Sequence, residues 1–280
     1  MRFPNLTIVG VGLIGGSIGL AAKKRGLVDH VRGVGRDAAK LELARKFGAI
    51  DEGVLELATA VREADLVIFC TPVDRIAAQV EEGARHCKRG TILTDAGSTK
   101  LEIVEAVART LPAHVQFVGG HPLAGSEKKG VEHAQADLFV NRWTVLTPTR
   151  DTPDETVHRV ASFWKALGAS TAVMSAEHHD QALALTSHLP HLIASALAGL
   201  LPADWRDLTA TGFRDTTRIA SGDPDVWSPI FQQNRAAVLA ALDQLEARLR
   251  LFRAALQKND VAQIDSLLTQ GKKVRDALGS

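Results

Sequence analysis

Short apolar runs alternate with amphipathic stretches through about residue 174, and this alternation limits the possible folds more than any other feature. The apolar runs read TIVGV, VRGV, LVIFC, TILTD, QFVGG, WTVLTP and STAVM, and the stretches between them include 38–47, 75–87, 100–111 and 154–167. Strand patterns that alternate with helical patterns are typical of βαβ units around a mainly parallel sheet. We therefore predict an α/β domain over residues 1–174.

The pattern changes at Ser175, after which the strand signals stop. Long Ala- and Leu-rich segments follow at 180–201, 229–257 and 260–278, and they predict an all-helical second domain over 175–280. Apolar residues in the second segment recur at spacings of three and four, and they are Leu239, Leu242, Leu245, Leu249, Phe252 and Leu256. Such a stripe is buried either within its own domain or between two paired chains. We expect a homodimer formed through this helical domain.

Charge and cysteine content narrow the classes of partner and compartment. The 33 Lys and Arg residues balance 32 Asp and Glu residues, for a net charge of +1, and neither sign forms a block. This balance disfavours nucleic acid and membrane surfaces and favours a small-molecule partner. The 2 cysteines form no disulfide framework, which indicates a reducing compartment, and we expect the cytoplasm. The charges at 23–25 follow the apolar opening, the reverse of an export signal.

Three glycines directly follow the predicted strand LTIV and open a predicted helix over 15–25. In this context G-x-G-x-x-G is the fingerprint of a dinucleotide site. Gly10 permits the tight turn, Gly12 lets the backbone approach a pyrophosphate, and Gly15 lets the helix pack closely on the strand. A glycine-rich turn that merely packs is the alternative. The pattern favours a Rossmann-type domain with the phosphates at the helix N-terminus.

The end of the second predicted strand bears on the choice of cofactor. An Asp or Glu about 20 residues beyond the fingerprint usually accepts hydrogen bonds from the ribose of NAD. Here the count ends on Gly35, which leaves room, and Arg36 follows it. An arginine suits a 2′-phosphate, so we predict NADP as the preferred cofactor. NAD stays possible, because the neighbouring Asp37 could turn inward.

The chain contains 0 tyrosines, which excludes the short-chain dehydrogenases, since these use a Tyr beside a Lys. A proton relay must therefore use His, Lys or a carboxylate. His121 follows the predicted strand QFVGG, so we expect it at the carboxyl edge of the sheet, where ligands bind in open α/β folds. Its alternative role is to cap the Gly-Pro turn around it.

Six motifs, found in order along nearly the whole chain, resemble the prephenate/arogenate dehydrogenases of tyrosine biosynthesis. They are GVGLIGGSIGLA at 10–21, TPV at 71–73, DAGSTK at 95–100, GGHPLAGSEKKG at 119–130, TSHLPH at 186–191 and GFRDTTRIASGDPDVW at 212–227. The resemblance implies that the cofactor also contacts Leu13, Ile14, Thr71 and Pro72. It implies a hydride transfer to NADP or NAD coupled to loss of the ring carboxylate as CO₂. The products would be 4-hydroxyphenylpyruvate, tyrosine or both.

The resemblance gives His121 a catalytic role, in which it takes up the proton of the substrate hydroxyl as the hydride leaves. An imidazole with an ordinary pKa of ~6.5 suits this task near neutral pH. Ser98 matches the family serine that orients this histidine near the nicotinamide. From the residues alone, Ser98 is an N-cap for a helix that begins at Lys100, and both roles can coexist.

The resemblance also assigns substrate contacts to residues in two further motifs. Glu127 matches a position that lines the substrate pocket, although by itself it is a solvated charge beside two lysines. His188 and His191 lie three apart on a helix that Pro190 is expected to kink. A zinc site is disfavoured because no third ligand stands at a suitable spacing. His188 is the preferred substrate contact, and His191 could be structural.

The last motif supplies the residues expected to bind a substrate carboxylate. Arg218 matches the family arginine with this role, which its planar guanidinium suits. Asp215 precedes it by three positions, so it either holds the guanidinium in place or forms only a local ion pair. Arg214 competes for the role of Arg218. Trp227 is expected to line the pocket, with core packing as the alternative.

Two rival interpretations differ from this one in class. A two-domain β-hydroxyacid dehydrogenase would use a lysine in its helical domain, yet no Lys occurs between residues 175 and 257. An NADP-binding sensor would explain the glycines but not the set formed by His121, His188 and Arg218. The residues do not distinguish prephenate from arogenate as substrate.

Overall fold

The computed structural model describes residues 2–125 and 128–279. Within these ranges the chain forms one eight-stranded sheet. Its strands are β1 Asn5–Val9, β2 His30–Val34, β3 Glu52–Val54, β4 Leu66–Phe69, β5 Ile92–Asp95, β6 Gln116–Pro122, β7 Trp143–Thr147 and β8 Ser170–Val173. They lie in the order β3-β2-β1-β4-β5-β6-β7-β8. The first six strands are parallel to one another, β7 is antiparallel to β6, and β8 is parallel to β7.

The helices of the described ranges fall between the strands and then continue alone to the end. They are α1 Leu13–Lys24, α2 Ala38–Lys46, α3 Leu57–Ala60, α4 Val73–Ala84, α5 Leu101–Thr110, α6 Asp154–Ala166, α7 Ala176–Leu183, α8 Leu189–Gly199, α9 Thr211–Thr217, α10 Pro224–Gln233, α11 Arg235–Gln257 and α12 Val261–Ala277. Short 3-10 turns occupy Val131–His133, Ala203–Leu208 and Arg218–Ser221. A π-helical turn, Ala184–His188, joins α7 to α8.

The central strands are buried on both faces, because helices cover the sheet from two sides. In β4, Leu66 and Ile68 join one hydrophobic cluster, while Val67 and Phe69 join the other. The first cluster includes residues of α1 and α6, and the second includes residues of α4 and α5. This alternation explains why LVIF reads as a continuous apolar run. The predicted fold class, a mainly parallel Rossmann-type sheet followed by helices, is confirmed.

The edge strand β3 was not predicted from the sequence. Its sequence, EGV, has a single β-branched residue, and Glu52 and Gly53 are exposed. It pairs with β2, where the Arg32 Nε donates to the Glu52 carboxylate at 2.7 Å. Tertiary pairing thus gives this segment a conformation that its local propensity does not indicate.

The boundary between the two compact units of the chain differs from the point at which strands give way to helices. The two compact units are Met1–Arg235 and Ala236–Ser280. The division predicted from the sequence, 1–174 and 175–280, marks instead where strands give way to helices, at Ser175, which caps α7. Helices α7 to α10 belong to the same compact unit as the sheet. Polar contacts help to hold these helices to the sheet, since the Asp180 side chain of α7 accepts hydrogen bonds from the backbone at the start of α5.

The helical segment Ala176–Gly199 is the one described helix long and apolar enough to cross a membrane by length and composition. It contains the π-helical turn that precedes Pro190. A proline has no N–H, so the α-helical hydrogen bond to the residue 186 carbonyl cannot form there. The π-helical turn accommodates the missing hydrogen bond. Buried His179, Asp180 and His188 bond to neighbouring groups, as expected of a core helix.

Candidate active site

The sheet reverses its strand order between β1 and β4, and the glycine turn lies at this crevice. Gly10 follows β1 with a φ of +94°, which favours glycine. A Cβ on Gly10 would approach the Cys70 carbonyl carbon and oxygen within 2.9 Å, so the turn packs directly on the end of β4. Ligands of open α/β sheets bind at such a switch point, outside the carboxyl ends of the strands.

The other two fingerprint glycines have different surroundings. Gly12 is the N-cap of α1, and a Cβ there would meet no atom within 4 Å, so the backbone faces open space. At Gly15 a Cβ would lie 2.2 Å from the Gly10 carbonyl oxygen and 2.8 Å from Ile8 Cγ2. Close packing of α1 on β1 therefore requires Gly15. Together they leave an open helix N-terminus at which a pyrophosphate fits.

Other predicted cofactor contacts line the same crevice. Leu13 and Ile14 are half-buried in the first turn of α1. Thr71 and Pro72 connect β4 to α4, where Pro72 is the N-cap and Thr71 Oγ1 donates to Gln79 Oε1 at 2.5 Å. These positions are at the carboxyl ends of the two strands that flank the crevice.

The end of β2 carries the exposed guanidinium of Arg36 and the carboxylate of Asp37, which caps a helix. Arg36 is exposed, and Asp37 is the N-cap of α2. The Asp37 side chain accepts from the backbone N–H groups of Ala39 at 2.9 Å and Lys40 at 3.3 Å. The carboxylate that could have turned toward a ribose is therefore held by its own helix.

A buried carboxylate organises the loop after β5. Asp95 accepts from the backbone N–H groups of Gly97 at 2.8 Å and Gly120 at 3.0 Å. It also pairs with the Lys100 ammonium, and both side chains have 0% exposure. Burial lowers the pKa of Lys100, and Asp95 opposes this effect. Ser98 is half-buried in the bend between these partners, and its hydroxyl has no hydrogen-bond partner among the described residues. The predicted N-cap role is absent, since Lys100 is the α5 N-cap position.

His121, at the carboxyl end of β6, belongs to a chain of three buried polar side chains. Its Nδ1 lies 2.8 Å from His179 Nε2, and His179 Nδ1 lies 2.7 Å from Asp180 Oδ1. Asp180 also accepts from the backbone N–H groups of Lys100 at 2.8 Å and Leu101 at 2.9 Å. These three hydrogen-bonded side chains thus link the sheet edge, α7 and the start of α5. The resemblance gave the orienting role to Ser98, whereas the observed partner of His121 is His179.

A second pair of histidines lies on the helix that follows. His188 is 1% exposed, and its Nδ1 lies 3.0 Å from the Asn234 amide nitrogen. An amide nitrogen only donates, so Nδ1 accepts and the hydrogen of neutral His188 is on Nε2. That Nε2 is buried and has no partner among the described residues. His191 instead stacks on Trp227, with ring centroids 3.6 Å apart, which makes His191 a packing residue.

Burial and neighbouring groups lower the pKa values of His121 and His188. Burial lowers the pKa of His121 well below its usual range, and His179, Lys100 and His188 lower it further. Burial also lowers the pKa of His188, to about 4, although Asp180 opposes the shift. The pKa of His121 is therefore lower than the ordinary imidazole value expected from the sequence. A neutral His121 is a proton acceptor across the physiological range.

The predicted carboxylate-binding residues lie at the surface of the same compact unit. Arg218 is exposed at the start of the 3-10 turn that packs on α8, and Asp215 is exposed in α9. Neither has an ion-pair partner among the described residues, so the local Asp215–Arg218 pair is not formed. Arg214 donates weakly to Thr209 at 3.3 Å. Glu127 lies outside the described residues.

Sequence reasoning missed His179, Asp180, Asn234, Asp95 and Lys100. A signal existed for the first two, because the buried face of α7 is Ala176, His179, Asp180 and Leu183. Polar residues at positions where an amphipathic helix should bury apolar ones require partners. No comparable pattern marks Asn234, whose amide reaches α7 only in the folded chain. Among the described residues, no group of three or more His, Cys, Asp or Glu could hold a metal ion.

A glycine turn at the switch point of a parallel sheet, with a buried histidine chain at the same edge, is typical of dehydrogenases that use a nicotinamide dinucleotide. The fold and this site define the protein as such an oxidoreductase.

Comparison with known proteins narrows this class to a family. The model of the prephenate dehydrogenase nucleotide-binding domain matches residues 18–173, and that of the prephenate dehydrogenase dimerization domain matches residues 175–270. The cyclohexadienyl dehydrogenase of Zymomonas mobilis is 35% identical, over 99% of this chain and 96% of its own. The chain belongs to the prephenate dehydrogenase family.

Solved structures agree with this assignment. Prephenate dehydrogenase from Aquifex aeolicus, in complex with hydroxyphenyl propionate and NAD+, superposes with a TM-score of 0.91 at 29% identity, over 99% of each chain. Synechocystis arogenate dehydrogenase superposes with a TM-score of 0.84 at 30% identity, over 98% of this chain and 99% of the other. The protein is therefore an NAD(P)-dependent oxidoreductase, neither a β-hydroxyacid-type enzyme nor a binding-only sensor.

The lowered pKa of His188 predicts a specific dependence of stability on pH. Unfolded histidine titrates near ~6.5, so below that pH the unfolded chain binds a proton that the folded chain refuses until about pH 4. The free energy of unfolding should therefore fall as pH decreases from ~6.5 to ~4, with a contribution of up to about 3 kcal/mol from His188. Urea unfolding of His188→Asn, which keeps a polar atom near Nδ1, should show a shallower decrease. An unchanged slope would show that His188 is not held neutral.

Proposed function

We propose that the protein catalyses oxidative decarboxylation of prephenate, arogenate or both, to 4-hydroxyphenylpyruvate or tyrosine. The observation that carries the proposal is the buried His121 at the carboxyl end of β6, with a lowered pKa, at the same edge of the sheet as the glycine turn. Family membership and the similarity to a structure that holds hydroxyphenyl propionate and NAD+ support the substrate class. Loss of CO₂ makes the ring aromatic, so the chain must mainly orient the ligand, accept a proton and bind carboxylates.

In this proposal, His121 acts as the base. Its Nδ1 is engaged with His179, and among the described residues Nε2 has no partner, so Nε2 faces the hydroxyl. Nε2 takes up the hydroxyl proton as the hydride leaves the carbon, and returns it to the phenolate oxygen once CO₂ has left. The cofactor supplies the hydride acceptor. The half-buried Ser98 hydroxyl lies on the loop between β5 and α5, where it can orient the same ligand.

The remaining contacts complement the substrate carboxylates and ring. Arg218, exposed and unpaired in the described chain, offers a planar set of donors to a carboxylate, and Asp215 is near in sequence to align it. The buried Nε2–H of His188 offers a further donor that lacks an acceptor in the protein. Trp227, which stacks on His191, is proposed to line this side of the pocket. Glu127 is proposed as a substrate contact on the motif alone.

We propose NADP as the preferred cofactor. Gly12 leaves the helix N-terminus open for the pyrophosphate. Arg36 is exposed after β2, and the Asp37 side chain caps α2, which supports a role for the Arg36 guanidinium in binding the ribose 2′ position. A 2′-phosphate gains charge-assisted hydrogen bonds from such a guanidinium.

We propose that the enzyme acts as a cytoplasmic homodimer. None of the six apolar stripe residues of α11 is buried in the single chain, and Leu239, Leu249 and Leu256 are 53%, 55% and 66% exposed. The matched dimerization domain covers this helix. Balanced charge and the absence of a disulfide framework support a small-molecule enzyme of a reducing compartment, without nucleic acid or membrane partners.

Replacing the proposed base and the proposed carboxylate ligand should affect different kinetic constants. His121→Asn should lower kcat by ~10²–10⁴-fold with KM nearly unchanged, because a proton acceptor is lost. Arg218→Ala should mainly raise KM, because ground-state and transition-state binding are lost together. Steady-state assays with prephenate and arogenate measure both effects. His178→Asn and Arg214→Ala, exposed neighbours of the same type, are the controls, and the reverse pattern would contradict the assigned roles.

Cofactor choice is tested by kinetics with both dinucleotides. The wild type should have a higher kcat/KM with NADP than with NAD. Arg36→Ala should raise the KM for NADP by ~10-fold or more and leave that for NAD nearly unchanged, because only NADP carries the charge that Arg36 binds. Lys40→Ala, an exposed cation on α2, is the matched control. A clear wild-type preference for NAD would refute the role of Arg36.

A further inference from the structure

Three buried side chains in a row, His121, His179 and Asp180, determine where the imidazole hydrogens lie. We propose that His179 is a positioning residue, which acts through its Nε2 to hold His121 in the tautomer with hydrogen on Nδ1 and a bare Nε2. The inference rests on the proposed function, in which Nε2 of His121 is the base. It adds to that function a residue that contacts no substrate.

Asp180 determines which atom donates in each hydrogen bond of this row of side chains. Its oxygens accept from two backbone N–H groups, those of Lys100 at 2.8 Å and Leu101 at 2.9 Å, at the start of α5. Each oxygen of the carboxylate is thus already the acceptor of a backbone N–H. An ionised carboxylate only accepts hydrogen bonds. The hydrogen between Asp180 Oδ1 and His179 Nδ1, atoms 2.7 Å apart, therefore belongs to His179.

The next two assignments follow from the first. In its neutral form His179 has a single ring hydrogen, already placed on Nδ1, so in that form its Nε2 is a bare acceptor. His121 Nδ1 lies 2.8 Å from that acceptor and must donate to it, since two bare nitrogens would repel. His121 Nε2 is then left with its lone pair exposed. Neutral imidazole in water prefers the opposite tautomer, with hydrogen on Nε2, which could not accept a proton there.

The neighbouring His188 shows that tautomers in this site are determined by specific partners. There the Asn234 amide donates to Nδ1 at 3.0 Å, which puts the hydrogen on Nε2. The two histidines thus present opposite groups, an acceptor at His121 and a donor at His188. In serine hydrolases a carboxylate fixes the tautomer of the catalytic histidine directly. In this protein the carboxylate acts through a second imidazole.

Two substitutions of His179 separate positioning from simple packing. In His179→Gln the side-chain amide oxygen reaches the position of Nε2 and still accepts from His121. In His179→Asn the shorter amide can still bond to Asp180, but His121 Nδ1 loses its acceptor. We expect His179→Asn to lower kcat by ~10²-fold with KM nearly unchanged, and His179→Gln to retain most of kcat. The exposed His178→Asn is the control. Equal losses in the Asn and Gln variants would overturn the proposal.

The tautomer itself can be observed without turnover. In ¹⁵N-histidine-labelled full-length protein, the signals of His121 are those that disappear in His121→Asn. The wild type should show a protonated Nδ1 and a bare Nε2, and His179→Asn should move hydrogen to Nε2 while His179→Gln should not. Hydrogen on Nε2 in the wild type, or no change in His179→Asn, would overturn the proposal. If the tautomer result holds while His121→Asn retains full turnover, only the base role of His121 fails.

Discussion

The Asp180 carboxylate is the contact on which the geometry of the site depends. It is 3% exposed and accepts from the first backbone N–H groups of α5, where no local side chain caps the helix. Asp180, in α7, therefore caps the N-terminus of α5. Leaving those N–H groups buried and unpaired would cost ~1–3 kcal/mol each. The same carboxylate aligns His179 and, through it, His121, so a folding contact also positions the catalytic group.

A second buried carboxylate holds the other side of the site in place. Asp95 joins the loop after β5 to β6 through the Gly120 N–H, and it neutralises Lys100. Buried ion pairs contribute little net stability, but breaking one leaves an uncompensated charge that costs ~3–5 kcal/mol. Lys100 also lowers the pKa of His121. These groups form a connected polar network in a low-dielectric interior, where each position depends on the others.

The fold was predictable because its signals are local. The alternation of strand and helix patterns, the glycine turn after β1 and the change at Ser175 all appear within short windows of sequence, and each agrees with the structure. β3 was not predictable, since its residues have no strand propensity and pair only because β2 offers an edge. The site residues named from motifs stay proposals, although the structure describes the surroundings of all of them except Glu127.

The network behind those residues could not be predicted from one sequence in the same way. The Asn234 amide donates to the backbone carbonyl of Asp180, 54 positions away in sequence, and no periodic pattern of residues predicts such a contact. His179 and Asp180 carried a weaker signal, polar residues on the buried face of a helix, which required knowledge of that face. The lowered pKa of His121 is likewise a consequence of burial that composition does not reveal.

In the proposed enzyme, an imidazole from the sheet edge and a guanidinium from the helical segment bind one ligand beside the cofactor. A crystal structure of the enzyme with NADP and hydroxyphenyl propionate tests this arrangement most directly. We expect the ligand hydroxyl within about 3 Å of His121 Nε2, with the ligand carboxylate on Arg218. A ligand whose hydroxyl is remote from His121, or an Arg218 that faces away from the ligand, would contradict it.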